Sequence, residues 1–207
     1  MRRIADEPFA EPIVTHLRDG TRVLVRAVRS SDAVALQNGF AALSDTSRAL
    51  RFLRPRTELT SGEVRDLTTP DHDWHEAIGA LDITHDPARP AGIARYFRLE
   101  GNPSSAELAV TVVDAYQARG LGTLLLGLLL RTASEAGVER FLALVGRRNH
   151  AMIGLLRDLG GVWGSQGHED REIVLPVRAD PSGYPETTAG MSIRAAYALR
   201  AAAPRRA

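Results

Sequence analysis

Within six residues, Gln117-Ala118-Arg119-Gly120-Leu121-Gly122, the chain changes its hydrophobic period. Upstream, residues 106–113 suit an extended segment. Downstream, Leu124, Leu125, Leu128, Leu129 and Ala133 recur at helical spacing until Gly137 offers a stop. A strand, a glycine turn and a long helix therefore follow one another. Glycines at 120 and 122 let backbone amides approach a ligand unobstructed, and the helix brings its unpaired N–H groups and positive dipole end to the same place. Leu121 shields one side of this anion cradle, Thr123 adds a hydroxyl, and Gln117 and Arg119 offer polar contacts at its entrance.

Gly-x-Gly alone is more often an ordinary turn than a binding loop. No Gly-Lys-Ser/Thr follows, which argues against a Walker loop. Leu124 and Leu125 stand where a dinucleotide fingerprint wants a further glycine. Among pyrophosphate ligands, an acyl-CoA is left as the best candidate.

The rest of the chain supplies a frame for this loop. Residues 21–28 read as a strand, and Ser30-Ser31-Asp32 caps a helix running through Leu36, Phe40 and Leu43. Ser44 caps a second helix at 45–53, and Thr60 a third over Glu63, Val64 and Leu67 that Pro70 ends, so this region forms a helical lid. Residues 77–83, 92–99 and 106–113 read as an antiparallel meander. After the long helix come a strand at 141–145, a helix at 150–159 and strands at 162–166 and 171–177. The order is mixed α and β. One domain is expected over 19–177, preceded by an extension over 1–18 whose Met1-Arg2-Arg3 reads as a frayed end. A linker with an alanine- and arginine-rich tail is expected over 178–207. The tail's helix, at 191–203, is not assigned to the core; packing on it, joining a homodimer and disorder are all open to it.

With 26 basic and 25 acidic residues the net charge is +1, so no broad field favours nucleic acid or an anionic membrane, and any anion site is local. The absence of cysteine excludes disulfides, thiolate metal sites and a cysteine nucleophile, and is compatible with a reducing cytoplasm. The longest greasy run, 121–130, is about half of the roughly twenty residues a bilayer span needs, and the N-terminus has no apolar signal core. A soluble, cytoplasmic protein is expected.

The segment from Gln117 to Gly122 matches in full the Gln/Arg-x-x-Gly-x-Gly/Ala motif of the GNAT superfamily of N-acetyltransferases, and the element order over 21–177 resembles that fold. Asp19-Gly20, Leu50-Arg51-Phe52-Leu53, Ala106-Glu107-Leu108-Ala109-Val110 and Arg148-Asn149-His150-Ala151-Met152 are similar to the bacterial Pat-type protein lysine acetyltransferases. The resemblance implies a mixed α+β fold whose mostly antiparallel sheet has splayed central strands that receive acetyl-CoA. It implies direct acetyl transfer, without a metal, to an amine, foremost the lysine of a protein substrate. Pat-type proteins often carry an extra nucleotide-sensing or synthetase-like domain, for which 207 residues leave no room, so a catalytic module alone is expected.

An amine must be neutral to attack a thioester, yet a lysine of ordinary pKa is neutral only about once in a few thousand molecules at pH 7. A base is needed. The Pat-like pattern places it at Glu107, and period-two geometry puts Glu107, Ala109, Thr111 and Val113 on one face; partial burial is expected to suit the carboxylate to its task. The plainer reading is an exposed strand glutamate. Amides around Ala109, Val110 and Thr111 are expected to receive the thioester oxygen, and Ala109, Thr111 and Val113 to pair with pantetheine; ordinary sheet pairing is the alternative for all of them.

Asn149 matches the superfamily's cofactor-contacting asparagine and also suits a helix cap. Arg157 either reaches a phosphate or is solvent-exposed. Leu156 occupies the position at which many GNAT enzymes carry a tyrosine general acid, a departure that Pat-like proteins share. The leaving thiolate then relies on its own low basicity, on water or on another residue. His72, His75 and His85 lack the spacing of a metal site, and Trp74 and Trp163 read as packing residues. Arg48, Arg51, Arg54 and Arg56 make the lid basic, as a solvated face or as steering for an acidic target or the cofactor's 3′-phosphate. Two other functions stay open: acetylation of a small amine, and a non-catalytic acyl-CoA-binding module. Loss of Glu107 or of the loop would mark the latter.

Overall fold

A computed structural model of the chain describes Phe9, residues 11–166 and residues 170–202. Its eight strands are β1 (Ile13–His16), β2 (Arg22–Ala27), β3 (His75–Asp82), β4 (Arg89–Leu99), β5 (Asn102–Val112), β6 (Arg140–Gly146), β7 (Val162–Gln166) and β8 (Asp170–Pro176). They form one sheet in the order β1-β2-β3-β4-β5-β6-β8-β7. Every pairing is antiparallel except β5 with β6. The expected meander is β3–β4–β5.

Three helices, α1 (Ala33–Ala41), α2 (Asp45–Phe52) and α3 (Ser61–Thr68), lie against one sheet face and make the lid. Their starts are where the sequence put them. Ser44 Oγ accepts from the Ser47 amide at 3.2 Å, and Thr60 and Glu63 form a reciprocal capping box. The other face carries α4 (Leu121–Glu135), α5 (His150–Asp158) and α6 (Thr188–Ala202). Gly92 of β4 brings α4 down onto the sheet: a Cβ there would stand 3.1 Å from Leu125 and 3.3 Å from Leu121.

Two segments read as peripheral belong to the core. In the N-terminal extension, β1 pairs with β2, and Phe9, Ile13 and Leu17 are buried. Four residues reading Ile-Val-Thr-His carry too little pattern to announce a strand. Met1-Arg2-Arg3 lies outside the described residues. The C-terminal tail packs on α4 through Ile193, Ala196 and Tyr197, and a Cβ on Gly127 would come within 2.6 Å of the Ala196 Cβ. The Tyr197 hydroxyl donates to the Arg178 carbonyl at 2.8 Å, closing the linker onto the helix. Of the three fates left open for this helix, packing on the core is the observed one; Ala203 lies outside the described residues. Alanine supplies a small, flat contact face, and this is why its lack of a strong amphipathic stripe concealed the packing.

Candidate active site

The parallel β5–β6 ladder has three rungs, Ser105 with Arg140, Ala106 with Phe141 and Glu107 with Leu142. Beyond Glu107 the strands part. β5 stays paired to β4 as far as Val112, and β6 to β8 as far as Gly146. The edge of β5 from Leu108 onward therefore faces a wedge, with backbone groups free of ladder partners on that side. Ala109, Val110 and Thr111 lie along it, half-buried. Val113 differs from expectation: its amide donates to the Ala91 carbonyl at 2.9 Å and is not available to a ligand. Its buried side chain lines the cleft under the lid instead.

β5 leads through Asp114–Tyr116 into the glycine loop. Both Ala118 (φ 59°) and Gly120 (φ 88°) are left-handed, and the pair of turns folds the loop back over the start of α4. The amides of Arg119, Gly120, Leu121, Gly122 and Thr123 make no hydrogen bond within the described part of the chain. These are five neighbouring free donors at a helix N-terminus, the arrangement an anion cradle needs. Thr123 and Gly122 are half-buried beside it, whereas the Leu121 side chain is buried in the core against Gly92 rather than shielding the loop.

Side chains around the loop are braced. Gln117 Nε2 donates to the Val112 carbonyl at 3.1 Å and to Ser47 Oγ at 3.2 Å, tying β5 to α2. Asp114 accepts from the Ser44 amide and from both the Ser44 and Ser47 hydroxyls. Its burial opposes ionisation, but those hydrogen bonds outweigh it and hold the carboxyl below its usual range. Arg119 is taken by Asp19 at 2.6 Å and lies over the Tyr116 ring. The cation left at the loop is Arg18, which the sequence reading passed over. Its amide donates to the Arg119 carbonyl at 3.1 Å, and its Nε lies 3.2 Å from where a Cβ on Gly120 would be. The guanidinium is exposed and makes no hydrogen bond or ion pair among the described residues. The Asp19-Gly20 turn was the available signal, since it brings β1–β2 to the loop; its partner across 100 residues is not encoded locally.

Glu107 stands on the lid-side face of β5, opposite Phe97 of β4. The partial burial expected of it is not found: the residue is exposed. Phe97 is itself 39% exposed and stacks on His75 with ring centroids 4.0 Å apart, so an aromatic floor adjoins the carboxylate. Arg51 of α2 is close enough to feel its charge. Burial lowers the Arg51 pKa, and Glu107 opposes that shift.

Asn149 caps α5, its Oδ1 accepting from the Met152 amide at 3.1 Å. Arg157 is exposed, with its guanidinium 6.0 Å from the Trp163 ring centroid on edge strand β7, away from β5. Leu156 is fully buried beneath α5. His72 is engaged with the buried Glu76 carboxylate at 3.0 Å, His85 lies 3.4 Å from Asp82, and Trp74 and Trp163 are both partly exposed.

A splayed parallel pair in an otherwise antiparallel sheet, followed by an amide cradle at the head of a helix, defines a GNAT acetyltransferase, and the chain belongs to that family. The acetyltransferase (GNAT) domain pattern matches residues 22–162. Acetyl-CoA is the family's acetyl donor, and the wedge and cradle fit it. Over 159 residues the chain is 34% identical to acetyltransferase Pat of Mycolicibacterium smegmatis, a match covering 75% of this chain and 46% of that protein. The chain thus spans about half the length of that relative. It is 30% identical over 161 residues to acetyltransferase PA5475 of Pseudomonas aeruginosa, covering 76% and 82% of the two chains. The solved GNAT domain of Streptomyces lividans PAT superposes with a TM-score of 0.73 at 27% identity, over 80% of this chain and 96% of that one. Among the described residues no helix is long and apolar enough to cross a membrane.

Proposed function

We propose that this chain acetylates the ε-amine of a protein lysine by direct attack on acetyl-CoA, with Glu107 as general base. The observation carrying this reading is the position of Glu107 at the last β5–β6 rung, where the unpaired edge of β5 begins. An acetyl group delivered along that edge arrives next to the carboxylate. The amine nitrogen forms a bond to the thioester carbon and passes its proton to Glu107. Amides of the β5 edge around Ala109, Val110 and Thr111 receive the charge developing on the carbonyl oxygen. The carbon–sulfur bond then breaks, and the departing thiolate takes a proton from water, because Leu156 offers none.

The amides from Arg119 to Thr123 hold the pyrophosphate, and Arg18 supplies the charge that Arg119 spends on Asp19. Asn149, besides its cap, has its side-chain N–H groups for the cofactor, and Arg157 can reach an outlying phosphate by leaving Trp163. The cytoplasm, where acetyl-CoA and unmodified lysines meet, is the place of action. The resemblance to Pat proteins supports lysine as acceptor. Incubation with labelled acetyl-CoA and a cell extract tests it: label is expected in protein lysine. Label confined to small molecules would overturn the protein acceptor.

A further inference from the structure

The lid and the sheet face beneath it border a cleft open to solvent. Most of its lining is apolar, with Phe40, Leu43, Phe52 and Ile93 among the walls. Three guanidinium groups also line it. Arg26 is neutralised by Asp32, through hydrogen bonds of 2.6 and 2.7 Å. Arg51 and Arg95 make no ion pair among the described residues, although Arg51 feels the charge of Glu107. Arg95 is only 2% exposed, and its one hydrogen bond among the described residues runs from Nη1 to the Leu67 carbonyl at 3.0 Å. Arg51 makes no hydrogen bond or ion pair among the described residues; its guanidinium lies 5.0 Å from the centroid of the Phe52 ring.

A guanidinium withdrawn from water is costly unless an anion meets it, and each of these two raises the cost of the other. Burial, followed by the charge of Arg51, brings Arg95 down to about 9. Among the described residues, no carboxylate stands at ion-pair distance from these two cations, and both line an open cleft. We infer that this cleft is the acceptor subsite and that Arg51 and Arg95 clamp a carboxylate carried by the acceptor amine. The assignment rests on the acetyl-transfer reading above. Its geometry suits that reading, since Arg95 faces Ala109 across the β4–β5 ladder, two residues and about 7 Å along the strand from Glu107. A carboxylate held there leaves its amine a short side chain away from the base. The group comes either from an acidic residue beside the acceptor lysine or from a small amino-carboxylate.

Matched acceptors separate these sources and test the inference. With acetyl-CoA, the full chain is offered a lysine peptide with Glu next to the lysine and the same peptide with Gln. It is also offered 6-aminohexanoate and its amide. In at least one pair the carboxylate member is expected to show a kcat/KM roughly tenfold or more higher, chiefly through KM, as befits a charge-assisted contact. Arg51→Gln should bring that ratio close to one, and Arg51→Lys should restore part of it. Arg95→Lys should reduce the ratio as well, without removing the cation on which the fold is built. Equal kcat/KM within both pairs overturns the inference and leaves acetyl transfer standing. So does a ratio that survives Arg51→Gln while only the melting temperature moves. Acetyl-CoA binding with no transfer to any of the four amines sinks the acetyl-transfer reading and this inference together.

Discussion

Glu107 and Leu142 form the last rung at which β5 and β6 run side by side. This pairing fixes the carboxylate at the vertex of the wedge, so the proposed base and the opening of the wedge are set by the same backbone event. Burial does not position Glu107, which is exposed; sheet register does. Several expectations depend on how firmly the surrounding parts hold that geometry.

The loop glycines are unequal. Gly120 has φ 88°, and a side chain there meets Arg18 at 3.2 Å, whereas a Cβ on Gly122 meets only Val112 at an ordinary 3.6 Å. Forcing a branched residue into the left-handed region costs on the order of 1–2 kcal/mol, roughly a tenfold change in an equilibrium. Gly120→Val is expected to raise the acetyl-CoA Kd about tenfold by calorimetry, and Gly122→Ala to change it far less. Equal effects would contradict the assigned geometry.

Arg18 and Arg119 should separate in the same assay. Arg18→Ala is expected to weaken acetyl-CoA binding about tenfold and to flatten its salt dependence, as loss of a charge-assisted phosphate contact would. Arg119→Ala loses an ion pair whose partners are each 38% exposed, so it should leave stability nearly unchanged and affect binding less. The reverse order would return the phosphate role to Arg119.

His75 makes the fold acid-sensitive. Burial, then the charge of Arg95, with a smaller push from His72 and opposition from Asp71, lowers it to about 4. The unfolded chain takes up this proton near pH 6.5 and the folded chain does not, so stability falls as pH drops from about 6.5 to 4, by at most about 1.4 kcal/mol per unit. His75→Phe keeps a ring stacked on Phe97 and should flatten the melting temperature across that window. An unchanged pH slope would show that other groups set it.

The seam between α4 and α6 depends on smallness. Gly127→Val must displace Ala196, whose Cβ lies 2.6 Å from the added atom, at an overpacking cost of about 1–3 kcal/mol. For a domain of this size that is a melting-temperature drop of about 2–12 °C. Acetyl-CoA affinity should hold, since the seam lies behind the helix rather than at its N-terminus.

What was legible in the sequence had local causes. The cradle announced itself because glycines, a strand and a leucine-rich helix are contiguous, and the caps at Ser44 and Thr60 because capping is a four-residue event. β1 and the packing of α6 were hidden because their partners lie far away and their own patterns are weak. The pairing of Arg119 with Asp19 was hidden for the same reason, since the two meet across 100 residues. The exposure of Glu107 was likewise invisible, since it is set by tertiary packing and not by the local pattern of β5. Leu156, whose aliphatic side chain has no proton to give, is fully buried.

The central claim is most directly tested by the pH dependence of kcat for acetylation of a lysine peptide by the wild-type chain and by Glu107→Gln. Acetyl-CoA affinity should be nearly the same in the two proteins. At neutral pH kcat should fall by about 10²–10⁴-fold, as for loss of a general base, and the deficit should shrink as pH approaches the free amine's pKa and solvent deprotonates the acceptor. Full turnover by Glu107→Gln at pH 7, with cofactor binding intact, would contradict the account.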